Sequence, residues 1–283
     1  MEALVTTDWL AERLGDPDLL VLDASYTSKI PGAPAKDPRA NFAAAHIPRA
    51  RFLDLDSLVD QRDPLPSMLP PPDQVAGRLR ALGVGQGTRV VLYEDGLHHS
   101  ACRAWWVLRS AGLDAALLDG ALAKWRREGR PLDAAEVATP AQPSTFGPST
   151  PRTTVFRVDQ MLANLASGTY QVADARSAAR FTGEEPDPRP GSASGHIPGS
   201  KNIPYPSFFH SDGTWKSRLA IAQVFAEAGI DPARPLVATC GSGITAAVIV
   251  FAAHLLGHDA ALYDGSWSEW GIHPDTPKAM GPA

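Results

Sequence analysis

The chain has 283 residues, 44% of them hydrophobic and 20% charged, with a net charge of −5, a composition suited to a globular protein with room for two domains of roughly 140 residues. An acidic balance without a basic stripe disfavours nucleic-acid binding, which needs clustered Lys and Arg against phosphate. The opening residues carry acidic side chains and no secretory apolar core, and the longest apolar stretch, 244–256, is too short to span a bilayer; no membrane association and a cytoplasmic location are the expectations.

In chain order, the apolar run 19–22 predicts a buried strand, 74–82 a helix, 90–93 a strand, 100–111 a helix, 115–118 a strand and 122–128 a helix. Residues 131–154, rich in Pro, Ser, Thr and Ala, read as an extended connector. Beyond it the alternation resumes, with helices over 158–165, 220–228 and 244–256 and strands over 171–173, 236–239 and 260–263. Gly83, Gly112, Gly229 and Gly257 each follow a helical run, as helix stops do. Strands alternating with helices predict an α/β fold whose parallel sheets carry helices on both faces.

The second half repeats the first. Leu20-Val21-Leu22-Asp23-Ala24-Ser25 resembles Gln171-Val172-Ala173-Asp174-Ala175-Arg176, and His46-Ile47-Pro48 recurs as His196-Ile197-Pro198. Strand 89–93 lines up with 235–239, Leu118-Asp119-Gly120 with Tyr263-Asp264-Gly265, and Trp125 with Trp270. These blocks keep their order at offsets of about 145 to 151 residues, so the chain reads as two copies of one domain, 1–130 and 155–283, joined by 131–154.

Cys240 stands where chemistry is expected. The stretch Leu236-Val237-Ala238-Thr239-Cys240-Gly241-Ser242-Gly243-Ile244-Thr245-Ala246 goes from strand through a short loop to a helix, and ligands of parallel sheets bind beyond the carboxyl ends of strands. Two glycines let backbone N–H groups curl inward, and the helix aims its positive end at the same spot. Both features favour a thiolate and would stabilise a persulfide anion. A lone cysteine after an apolar strand is commonly an inert core residue, but the loop and the repeat argue otherwise. The equivalent place in the first half falls near Glu94 and Asp95, so that copy lacks the nucleophile. Cys102, on an apolar helical pattern, reads as a buried structural residue. Two distant cysteines and no Cys-x-x-Cys pair give neither a disulfide framework nor a zinc site, and His98 and His99 lack metal-binding company. Trp105, Trp106, Trp125 and Trp270 read as packing residues, Trp267 as a wall of the site, Asp264 and Gly265 as a turn, and Gly183 as a backbone-shaping glycine.

On these residues the chain resembles the tandem rhodanese-type sulfurtransferases over nearly its whole length. The Cys-Gly-Ser-Gly-Ile-Thr loop resembles that of the 3-mercaptopyruvate sulfurtransferases, where thiosulfate-using relatives carry Cys-Arg-Lys-Gly-Val-Thr; His-Ile-Pro-Gly at 196–199 and Tyr-Asp-Gly-Ser-Trp at 263–267 resemble the family too. The resemblance implies Cys240 as nucleophile, a substrate loop of Gly241, Gly243, Ile244 and Thr245, and substrate-binding Arg180 and Arg189. It also implies a proton relay from Asp37 through His46 to Ser242, which would set the site at the domain interface. His46 and His196 both precede Ile-Pro, which equally admits a shared structural purpose.

The expected function is sulfur transfer from 3-mercaptopyruvate through a Cys240 persulfide to thioredoxin, a small thiol or cyanide, without metal or organic cofactor and by a monomer. The loop has a physical logic. Thiosulfate is a compact dianion that an Arg and a Lys would help hold, whereas Gly241 and Ser242 are neutral, and a single carboxylate suits guanidinium forks set further off. Three rivals stand beside this reading: a thiosulfate:cyanide sulfurtransferase, a non-catalytic persulfide carrier, and a cysteine phosphatase. The last needs Cys-x5-Arg to clamp phosphate, and Ala246 occupies the Arg position.

Overall fold

The computed structural model describes residues 1–27, 31, 37–96, 98–134, 146–147 and 149–282. Two five-stranded sheets carry the chain. The first holds β1 (Leu4–Val5), β2 (Leu19–Asp23), β3 (Arg51–Phe52), β4 (Arg89–Tyr93) and β5 (Ala115–Leu118) in the order β1-β5-β4-β2-β3. The second holds β6 (Thr154–Phe156), β7 (Gln171–Asp174), β8 (Lys201–Asn202), β9 (Leu236–Thr239) and β10 (Ala261–Tyr263) in the order β6-β10-β9-β7-β8. The pairings between neighbours are parallel, and the two orders are the same once the second copy is counted from its own start. The repeat read from sequence is thus a repeat of topology.

Helices cover both faces of each sheet, as the sequence predicts. They are α1 (Thr7–Arg13), α2 (Pro38–Ala44), α3 (Pro72–Ala81), α4 (Ser100–Ser110), α5 (Ala121–Arg127), α6 (Val158–Ser167), α7 (Ala178–Thr182), α8 (Arg218–Glu227), α9 (Ala246–Leu255) and α10 (Ser266–Trp270). The strand period of two sorts the core. Leu20, Leu22, Val90 and Leu92 pack in one apolar cluster, while Val21, Val91 and Tyr93 pack in another with Leu10, Phe42 and Trp125. In the second sheet, Leu236 and Ala238 face the first of these clusters and Val237 faces a third, with Met161, Trp267 and Trp270.

The first cluster belongs to both domains. α9, Ala-Ala-Val-Ile-Val-Phe-Ala-Ala-His-Leu, is buried from Ala246 to Ala253, as a helix apolar on all sides must be. It lies between its own sheet and α4, where the Trp105 and Phe251 rings meet edge-on at 5.0 Å and Trp215 stands 5.1 Å from Phe251. Among the described residues no helix is long and apolar enough to cross a membrane.

The differences from the sequence reading are local. The short strands β1, β3, β6 and β8 and the short helices α1, α2, α7 and α10 have no counterpart in the sequence reading. β6 lies partly inside the predicted connector, since it pairs with β10. Helix α9 begins at Ala246 rather than 244, because Gly243 turns with φ +77° and delays the first helical turn. Of the connector, residues 135–145 and 148 lie outside the described residues; its ends are tied by Asp133 to His46 and by Ser149 and Arg152 to the carbonyls of Ala111 and Arg109.

Candidate active site

Cys240 follows β9 directly and is 2% exposed. Its amide donates to Ser266 Oγ at 3.2 Å, and its carbonyl accepts from the Trp267 amide at 3.0 Å. The Gly241 carbonyl accepts from the Ser268 amide at 2.8 Å, so the start of α10 fastens the loop from below. Gly243 is fixed by space as well as by φ: a Cβ there would stand 2.9 Å from the Asp264 carbonyl and 3.1 Å from Arg103 Nη1, which leaves room for glycine alone.

The cysteine opens into a cleft of about 220 Å³ between the domains. Gly241, Ser242, Ile244 and Thr245 form its floor with Cys240, and Arg176, Arg180 and Arg189 form one wall. Tyr26, Pro66 and His98 of the first domain and Ala175, Ser177 and Tyr205 of the second complete it.

Arg180 comes from α7, whose Ser177 N-cap accepts from the Arg180 amide at 3.4 Å and whose end is set by Gly183 at φ +85°. Arg189 follows six residues beyond that glycine, and Asp187 joins the two. Its Oδ2 accepts from Arg180 Nη2 at 2.5 Å, and Arg189 Nη1 lies 3.2 and 3.3 Å from its two oxygens. The Arg189 amide adds a bond of 3.0 Å to Oδ1. Burial opposes ionisation of Asp187, but the Arg189 amide and the two guanidinium groups outweigh it and hold the carboxyl below its ordinary range.

The arginines sit directly over the loop. A Cβ on Gly241 would stand 3.0 Å from Arg189 Nη2 and 3.5 Å from Arg180 Nη2. The guanidinium groups therefore occupy the space that a side chain at 241 would need. The neutrality of this position, read from sequence as absence of charge, is in the structure also absence of bulk.

Seven of the predicted site residues meet at this cleft: Cys240, Gly241, Ser242, Ile244, Thr245, Arg180 and Arg189. Gly243 lies behind it and shapes the loop. Asp37 and His46 are not among the cleft's lining residues, and among the described residues no hydrogen bond joins either of them to Ser242. Asp37 is exposed and caps α2, accepting from the Ala40 amide at 3.0 Å. His46 is fully buried, stacked on Phe42 at 4.0 Å with Nδ1 2.7 Å from the Phe42 carbonyl oxygen. Phe42 packs on the face of the first sheet that carries Val21 and Val91, whereas Cys240 belongs to the cluster on the opposite face. His196 repeats the arrangement, stacked on Phe181 at 3.8 Å with Nδ1 2.9 Å from that residue's carbonyl oxygen. Each also pairs by its backbone with the segment after the last helix of its copy, at Asp133 and Ala279. The shared His-Ile-Pro thus holds the same local packing in both copies, while His46 Nε2 is buried without a hydrogen-bond partner.

Several residues that shape the site carried no assignment from the sequence. Asp187 was visible only as one acid among several in the arginine loop. Arg103 reaches across from α4, 2% exposed, to pair with fully buried Asp264 at 2.8 Å; it also donates to the Gly243 carbonyl at 3.3 Å and to the Ser67 carbonyl. Asp264 accepts from the Leu69 amide at 2.6 Å as well, so its turn is a junction between domains. A lone Arg inside Ser-Ala-Cys-Arg-Ala-Trp-Trp was the available signal, since a cation on an apolar helix requires a partner. Trp267 does not wall the cleft. It is buried, bonded through Nε1 to the Ala193 carbonyl at 2.9 Å, and carries the Arg176 guanidinium 4.3 Å over its ring. Arg176 is itself paired with Asp174 at 2.7 Å, which leaves the other two arginines as the wall's cations.

The first domain shows what replaces the cysteine. The Glu94 carbonyl accepts from the Leu122 amide at 3.2 Å, as that of Cys240 does from Trp267, so the two residues are structural counterparts. The Glu94 carboxylate accepts from the Ala101 amide at 3.2 Å and stands 3.3 Å from His99 Nδ1. It places the chain's own anion at the start of α4. Cys102 lies nearby, 1% exposed, its thiol pushed up in pKa by burial and by Glu94.

Each of the two copies is matched by one family model. The rhodanese-like domain model fits residues 6–128 and again 157–273, and the chain belongs to the rhodanese family. It is 41% identical over 278 residues to human 3-mercaptopyruvate sulfurtransferase, covering 95% of this chain and 91% of that protein. It is 39% identical over 297 residues to a mitochondrial thiosulfate/3-mercaptopyruvate sulfurtransferase of Arabidopsis thaliana, covering 98% of this chain and 78% of that one. Among solved structures, SseA from Escherichia coli, a 3-mercaptopyruvate enzyme, superposes with a TM-score of 0.83 at 36% identity, covering 95% of this chain and all of that one.

Proposed function

We propose that the chain is a sulfurtransferase that takes sulfur from 3-mercaptopyruvate onto Cys240 and passes it to a thiol or cyanide. The observation that carries this reading is the Arg180–Asp187–Arg189 cluster seated over Gly241, beside a buried cysteine in a small cleft. Its forks suit a carboxylate held at one end of a short donor while the donor's sulfur reaches Cys240. The relatives named for mercaptopyruvate support the same donor.

The chemistry follows in two halves. The Cys240 thiolate attacks the donor sulfur, an Sγ–S bond forms, the S–C bond breaks, and its electron pair leaves as the enolate of pyruvate. Protonation of the enolate carbon yields pyruvate; in this reading the Ser242 hydroxyl, in the lining of the cleft, passes on that proton and recovers it from solvent. The acceptor then attacks the outer sulfur of the persulfide and regenerates the thiolate. No relay through His46 is part of this scheme.

The test is kcat/KM for 3-mercaptopyruvate and for thiosulfate with a common acceptor, together with Cys240→Ser. The expected outcome is a preference for mercaptopyruvate, and loss of all sulfur transfer in the variant with its unfolding transition unchanged. Turnover retained by Cys240→Ser would overturn the nucleophile, a preference for thiosulfate would overturn the donor, and failure with both donors would leave the carrier reading.

A further inference from the structure

The two arginines of the cleft wall share a single counter-charge. Asp187 stands behind both, its side chain 1% exposed against 13% for each arginine, and both its oxygens are engaged by the guanidinium groups. The remaining ion pair at the wall, Arg176 with Asp174, is self-neutralised, and the loop from Gly241 to Thr245 carries no charge. Counting Arg180 and Arg189 as +2 and Asp187 as −1, the cluster presents one net positive charge.

We propose that Asp187 is a specificity-determining positioning residue, which fixes the direction of both guanidinium forks and trims their charge to match a monoanionic donor. This inference rests on the proposed sulfurtransferase reading and adds the charge class its site selects. A donor with one carboxylate satisfies the cluster. A dianion such as thiosulfate brings a second negative charge into a half-closed cleft beside a buried carboxylate, where screening is weak. Donor choice then has two parts. Gly241 leaves the arginines room, and Asp187 sets how much charge they show.

The experiment is Asp187→Asn, which keeps size and shape while removing the charge. The ratio of kcat/KM for thiosulfate to that for mercaptopyruvate should rise about tenfold, chiefly through KM, and sulfate should become a stronger competitive inhibitor than pyruvate. Asp187→Glu should restore the original ratio. Equal losses for both donors in Asp187→Asn, with the ratio unchanged, would show a merely structural role and overturn the proposal. If that variant fails to fold, the unsubstituted protein decides. Competition against the preferred donor should rank pyruvate above sulfate, and the reverse ranking would overturn the proposal. That ranking is independent of which donor the protein turns over, so failure of the charge argument is separable from failure of the donor assignment.

Discussion

Replacing Arg103 by Met tests whether the first domain holds the Cys240 loop in place. Met keeps the aliphatic length while deleting the guanidinium, so the ion pair to Asp264 at 2.8 Å, the bond to the Gly243 carbonyl at 3.3 Å and the contact 4.5 Å over Trp106 are lost together. Both partners of the pair are 2% exposed or less, and removing one member of such a pair costs about 3–5 kcal/mol because the other charge stays buried. At roughly 2–4 °C per kcal/mol for chains of comparable size, the melting temperature should fall by about 6–20 °C. The assay is thermal and urea unfolding of Arg103→Met, Asp264→Asn and the double variant, with kcat/KM alongside. The double variant should lose much less than the sum of the singles, since the second change removes the stranded charge. The loosened Gly243 carbonyl should lower kcat/KM in all three. A single-variant loss below about 1 kcal/mol, or strict additivity, would refute the idea that this pair joins the domains.

Two further outcomes are expected. Gly241→Ala places a methyl 3.0 Å from Arg189 Nη2, so the fork must yield by a few tenths of an ångström; KM for mercaptopyruvate should rise about three- to tenfold with kcat within about twofold, and an unchanged KM would remove Arg189 from substrate binding. Asp23 is pushed up to about 6 by burial, against hydrogen bonds from Ser25, so its folded value lies above the unfolded one near 3.9. Its contribution to stability is therefore present below about pH 4 and lost as pH rises through about 6, on the order of 3 kcal/mol in all. Asp23→Asn should shrink the drop in unfolding free energy between pH 4.5 and 7.5, and an identical drop in variant and parent would acquit Asp23.

Legibility in the sequence followed distance along the chain. The Cys240 loop, its glycines and the helix behind it were readable because strand, turn and helix are consecutive. The tandem organisation was readable because repetition needs no tertiary knowledge. The cleft's first-domain wall, Tyr26, Pro66 and His98, was hidden because these residues lie far from Cys240 in the chain and meet it only when α4 packs on α9. The Arg103–Asp264 pair was hidden for the same reason. Asp187 was hidden differently: two residues from Arg189, it looks like any acid in a polar loop until the carboxylate turns out to be enclosed. His46 and the matched His196 share a stack on Phe42 and Phe181 that only the fold reveals, because the ring partners lie four and fifteen residues away in the chain.

The arrangement of α9 bears on how this chain can change over generations. The half that carries Glu94 lacks the loop cysteine, yet deleting it would leave Phe251 and its neighbours facing water and would strip Asp264 of its counter-charge. The copy without the loop cysteine therefore cannot disappear, and its own loop is held in place too, since His98 lines the cleft that contains Cys240. A descendant reduced to one copy would first have to acquire polar residues along α9 and an uncharged residue at 264, so the doubled gene behaves as a ratchet that turns easily toward two domains and hardly back.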